Sequence, residues 1–71
     1  MDELRVLLKQ DLKNLGINFE TNLGEQLDSL DRLQIITKFE EMYETDFTRV
    51  LTNPRAWESF NCLVEYFIKE I

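Results

Sequence analysis

The sequence contains no histidine, one cysteine (Cys62), one proline (Pro54) and two glycines, Gly16 and Gly24. Each shortage closes off a class of protein. Without an imidazole the commonest general base is missing, and neither a Ser–His nor a Cys–His nucleophile can be built. A zinc site would have to be made from one thiolate and carboxylates, a poor donor set for that ion. A lone cysteine cannot form an internal disulfide, which fits a reducing compartment and leaves stability to packing. The GxGxxG turn, the P-loop and the D-x-[DN]-x-[DN]-G calcium loop are all absent. No apolar run is long enough to span a bilayer and no basic, apolar leader is seen, so a soluble, cytoplasmic protein is expected. Autonomous catalysis is not.

What the chain does have is acid, unevenly placed. Its 71 residues carry a net charge of −6. Residues 1–15 balance, as do residues 47–71. The whole excess lies between 16 and 46, where Glu20, Glu25, Asp28, Asp31, Glu40, Glu41, Glu44 and Asp46 face only Arg32 and Lys38. Phosphate binding needs the opposite sign, so no nucleic acid is expected. A basic protein partner is the natural complement of such a surface.

Periodicity points to an all-α fold in a single domain, residues 1–71. Leu4, Leu7, Leu8, Leu12 and Leu15 share one helical face over residues 2–15, and Gly16 stops that helix. Residues 16–27 read as a long first loop, held down by Ile17, Phe19, Leu23 and Leu27. A second helix is expected over Ser29–Glu44, about 24 Å long. Its stripe is read as Leu30, Leu33, Ile36 and Phe39, widened by Ile35, Met42 and Tyr43. Asp28 or Ser29 supplies its cap, and Asp31 puts negative charge in its first turn. Thr45–Thr52 reads as a connection anchored by Phe47, Val50 and Leu51. Asn53-Pro54 then opens a short third helix ending near Trp57. The last helix starts around Ser59 and carries Phe60, Leu63, Val64, Phe67 and Ile68. The sum is a small four-helix bundle of three main helices, a short third one and a long first loop. Cys62, among apolar neighbours, is expected to be buried and inert.

Ser29 stands in Asp28-Ser29-Leu30-Asp31, directly ahead of "LQIITKFEEMYETDF". The chain here resembles the acyl carrier protein family, including its peptidyl and aminoacyl members. That family reads D-S-L-D, then an apolar helix closing in E-E-x-F/Y and a short acidic turn. Glu40-Glu41-Met42-Tyr43 and Phe47 fill those places without a gap. Trp57-Glu58-Ser59-Phe60 is similar to the step that opens the family's last helix, and Val64-Glu65-Tyr66-Phe67 continues it. The resemblance covers essentially the whole chain.

It implies that Ser29 carries 4′-phosphopantetheine, delivered from coenzyme A by a phosphopantetheinyl transferase. The protein would then hold acyl or aminoacyl groups as thioesters and present them to loading, condensing and transfer enzymes of fatty-acid, polyketide or nonribosomal-peptide-type biosynthesis. It would act as a monomer and catalyse nothing itself. Asp28, Leu30, Asp31, Glu40 and Glu41 would meet those partners. One departure stands out: the family's usual glycine two residues before the aspartate is Gln26 here, and Gly24 lies two places too early. That alters the loop that a transferase would recognise. The segment Phe47–Trp57 is also longer than in fatty-acid carriers and closer to D-alanyl and specialised stand-alone carriers. The competing expectation is a helical adaptor, or a degenerate carrier without the arm, that binds a basic partner. Phe39, Tyr43, Phe47, Trp57, Phe60 and Phe67 make the expected core unusually aromatic, which favours short or polar cargo over long acyl chains.

Overall fold

Leu4, Leu8 and Leu12 recur every fourth residue, so a helix carrying them buries a single side. The computed structural model, which describes residues 2–71, forms that helix as α1 (Asp2–Asn14), and all three leucines are buried completely. It ends as the glycine predicts. Gly16 adopts φ +77°, its N–H reaches the carbonyl of Lys13 at 3.0 Å, and the N–H of Ile17 reaches that of Leu12 at 3.1 Å. This pair of bonds is the Schellman closure, and it lets Ile17 pack against the core. Leu15 falls outside the helix and is exposed.

The remaining elements are α2 (Leu23–Gln26), α3 (Ser29–Tyr43), α4 (Thr48–Thr52), a 3₁₀ turn (Pro54–Trp57) and α5 (Phe60–Glu70). No strand occurs among the described residues. Most starts carry a side-chain acceptor for a free backbone N–H: Asn22 for Glu25, Asp28 for Asp31, Asn53 for Arg55, Ser59 for Cys62. α4 has no cap of its own from Phe47. Its entry is held by Glu40, which accepts from the Phe47 N–H at 2.8 Å, and by Asp46, which accepts from the Thr48 N–H at 2.8 Å.

One core joins these pieces. Trp57, Phe39, Phe47 and Phe67 are its largest buried side chains, with Leu23 and Leu27 reaching in from the first loop. Phe67 lies 4.7 Å from the Phe47 ring and 5.4 Å from that of Phe39. Each such side chain contributes about 1.5–3 kcal/mol by leaving water. No polar or charged residue is buried among the described ones. Trp57 brings the one polar atom of the ring set, and its indole N–H donates to the carbonyl of Val50 at 3.0 Å.

The structure corrects the expected layout in four places. Residues 16–27 are not loop throughout, because Leu23 is pulled into the core and the chain around it closes a short helix. Thr45–Thr52 likewise contains α4, which seats Val50. The predicted stripe on α3 is wrong at its start and at Met42: Leu30 is 61 %, Leu33 48 % and Met42 43 % exposed, while Ile35, Ile36 and Phe39 are buried. A step of three residues falls about 60° short of a full turn, so three such steps carry Leu30 to the side opposite Phe39. Cys62 is half-buried rather than sealed in the core.

Candidate functional site

Asp28 has an extended backbone (ψ 177°), and its carboxylate accepts from the N–H of Asp31 at 2.8 Å. That makes Asp28 the cap of α3 and Ser29 its first helical residue. Ser29 is exposed. Its hydroxyl is therefore not spent on capping, and the N–H groups of Ser29 and Leu30 lack helical acceptors as every first turn does. Leu30 stands exposed beside it, and Asp31 is half-buried.

The helix end is fixed from behind by Arg32. Its Nη2 donates to the carbonyl of Gly24 at 2.6 Å, and its guanidinium lies 5.8 Å from the centre of the Trp57 ring. Arg32 thus ties the first turn of α3 to α2 and to the 3₁₀ turn. A side chain at Gly24 would meet Asn22 Oδ1 at 3.1 Å, Arg32 Nη2 at 3.4 Å and Trp57 Cβ at 3.5 Å. The bare backbone belongs here, two residues earlier than the resembled family has it. Gln26 does something a glycine could not. Its amide oxygen accepts from the Asn18 N–H at 2.7 Å, and its amide nitrogen donates to Asn18 O and Thr21 Oγ1, both at 2.8 Å. The approach to Ser29 is a stapled loop.

Both cations of the acidic segment are engaged: Lys38 is bound to both oxygens of Asp11, at 2.8 and 3.0 Å, and Arg32 to the Gly24 carbonyl. Among the described residues neither forms an ion pair with Asp28, Asp31, Glu41 or Glu44. Glu40 behaves differently from its neighbour. It is half-buried with its carboxylate committed to Phe47, whereas Glu41 is exposed. Asp46, beside that contact, is held below the usual aspartate range by the hydroxyl and then the backbone N–H of Thr48. Burial, with a smaller contribution from Glu3, raises Tyr43 above the ordinary phenol value.

The structure thus brings Asp28, Ser29, Leu30 and Asp31 together at one helix end and puts Glu40 and Glu41 three turns along. Arg32, Gly24 and Gln26 were missed as organisers of that end. The misplaced glycine and the glutamine in its stead were the available signal. No cluster of metal-ligating side chains occurs among the described residues, and none of the described helices is long and apolar enough to cross a membrane. No protein-family model, curated protein or solved structure matches the chain.

Proposed function

We propose that the protein is an acyl carrier, with 4′-phosphopantetheine attached through the Ser29 hydroxyl by a phosphopantetheinyl transferase. The observation that carries this reading is the division of labour at the start of α3. Asp28 does the capping, so the exposed Ser29 hydroxyl has no structural task to explain it. The D-S-L-D motif, in register with the helix behind it, supports the same reading.

The residues at this end fit a phosphate-bearing group. A phosphodiester on Ser29 would lie against the unpaired N–H groups and positive dipole end of a fifteen-residue helix. Arg32, bound to Gly24 and packed on Trp57, keeps that end from fraying. The arm, when bound, supplies a mobile thiol that carries acyl or aminoacyl cargo as a thioester. Leu30 and Leu33 offer apolar contact on the outer face of α3. Asp28, Asp31 and Glu41 steer a basic partner enzyme toward Ser29.

Intact mass after incubation with coenzyme A, Mg²⁺ and a broad-specificity transferase tests the proposal. Wild type gains one arm and Ser29→Ala gains none. Modification of the alanine variant refutes the site. An unmodified wild type, folded by circular dichroism, refutes the function and leaves the adaptor reading.

A further inference from the structure

Arg5, Lys9 and Lys13 stand four residues apart and form one row along α1, with Val6 and Gln10 in the adjacent row. All five are exposed, and Val6, at 62 %, is the most exposed large apolar side chain among the described residues. No ion pair among the described residues uses any of the three cations; the two pairs present are Lys38–Asp11 and Arg49–Glu70. Arg5 and Lys9 lie instead over aromatic rings, at 5.9 Å from the centres of Phe60 and Phe19. Those two rings pack edge-on at 5.5 Å and give the row a firm flank. Asp11, two residues from both Lys9 and Lys13, is taken up by Lys38 on the other side of the helix. Asp2 and Glu3 stand at the N-terminal end of α1, so in a chain of net charge −6 the locally basic part of this face is its C-terminal part, Lys9 and Lys13, with Val6 as an apolar knob beside them.

We infer that this face of α1 is a docking surface for an acidic amphipathic helix of a partner protein. Carboxylates spaced one turn apart would meet Lys9 and Lys13, and a small apolar side chain would cover Val6. A helix matches because the cations and the knob repeat at helical spacing. Anionic bilayers and nucleic acids present extended negative charge and repel the rest of this molecule, whereas a helix offers its carboxylates locally. The surface is separate from the acidic face of α3. It would let the protein be held through α1 while Ser29 remains open, and it does not depend on what Ser29 carries.

The test titrates the full ¹⁵N-labelled chain with a short synthetic helix bearing leucine and glutamate at four-residue spacing. A lysine-for-glutamate version serves as control. Shift changes should gather at Val6, Lys9, Gln10 and Lys13 and fade as salt rises. Affinity should fall roughly tenfold in Lys9→Glu/Lys13→Glu, with far-UV circular dichroism unchanged because both side chains are exposed, and should weaken in Val6→Ser. Undiminished binding by the double variant, or shifts gathered on α3, overturns the inference. So does equal binding of phosphatidylserine vesicles through the same residues. Dilution-dependent self-association that the double variant abolishes also overturns it, by making a second copy the occupant.

Discussion

The side chain of Gln26 grips the backbone of Asn18 on both of its polar groups, accepting from the N–H at 2.7 Å and donating to the carbonyl at 2.8 Å. Eight residues of chain are closed by one amide, which also reaches Thr21 Oγ1 at 2.8 Å and Asn22 O at 3.2 Å. Ile17 and Phe19 can then lie on the core while the chain between them and Ser29 stays in one shape.

Removing that clasp should loosen the loop before it loosens the bundle. Gln26→Ala is expected to cost about 1–2 kcal/mol in urea denaturation, as several solvent-exposed hydrogen bonds are lost together. Gln26→Glu should cost more, because an anionic oxygen would then face the carbonyl oxygens of Asn18 and Asn22, which can only accept. In both variants the loop amides should exchange faster than those of α5. Equal stability to wild type would make the clasp ornamental.

Glu40 and Glu41 are adjacent carboxylates with different work. Glu40→Lys should lower stability by about 1–3 kcal/mol, since the Phe47 N–H loses its charged acceptor and a cation takes its place. Glu41→Lys should leave the melting temperature within a degree or so and, on the carrier reading, instead slow association with a carrier-dependent enzyme, more strongly at low salt. Matched effects of the two reversals on stability would refute the distinction.

Asp46 is expected to add to the acid sensitivity of the fold. Its folded value lies below the ordinary one because Thr48 bonds the ionised form. The stabilisation is therefore complete above the ordinary aspartate range and is lost as pH falls through the depressed folded value. Asp46→Asn should flatten this acid limb of a thermal stability profile while changing little near neutrality beyond the loss of one charge-assisted contact. A wild-type acid slope in the variant would exclude Asp46 as its source.

Cargo, on the carrier reading, should stay outside the bundle. Phe39, Phe47, Trp57 and Phe67 are packed ring against ring or hydrogen-bonded in the interior, while Tyr43 and Phe60 are only partly buried at its margin. Opening a channel there would break contacts at close-packed density. Amide shifts of Phe39, Trp57 and Leu63 should be the same in the unloaded protein and in protein carrying an octanoyl group. Broad movement of those signals would mean that the chain is taken in.

Much of the fold was legible because local chemistry and global packing agree in it. The α1 leucines at four-residue spacing, Gly16 after them, Asn53-Pro54 and Ser59 each mark an element where one occurs. The two short helices were not legible. Four or five residues show less than two turns, too few for a period to appear, and both form because Leu23 and Val50 are drawn into the core. Leu30 and Leu33 are a different case: a three-residue step drifts about 60° per turn, so an apolar run at that spacing winds round the helix and its first members leave the covered side.

By itself the sequence determined an all-helical chain, its acidic middle, and Ser29 at the mouth of the longest helix. Those follow from periodicity, charge count and turn residues, which act over a few positions. The choice of Asp28 over Ser29 as the cap needed the local backbone geometry, and tertiary structure alone decided that Arg32 reaches Gly24 across eight residues and that Glu40 is tied to Phe47. A carboxylate, a guanidinium or an amide can serve many acceptors and donors. Which one it takes depends on what the packed backbone leaves unsatisfied within its reach.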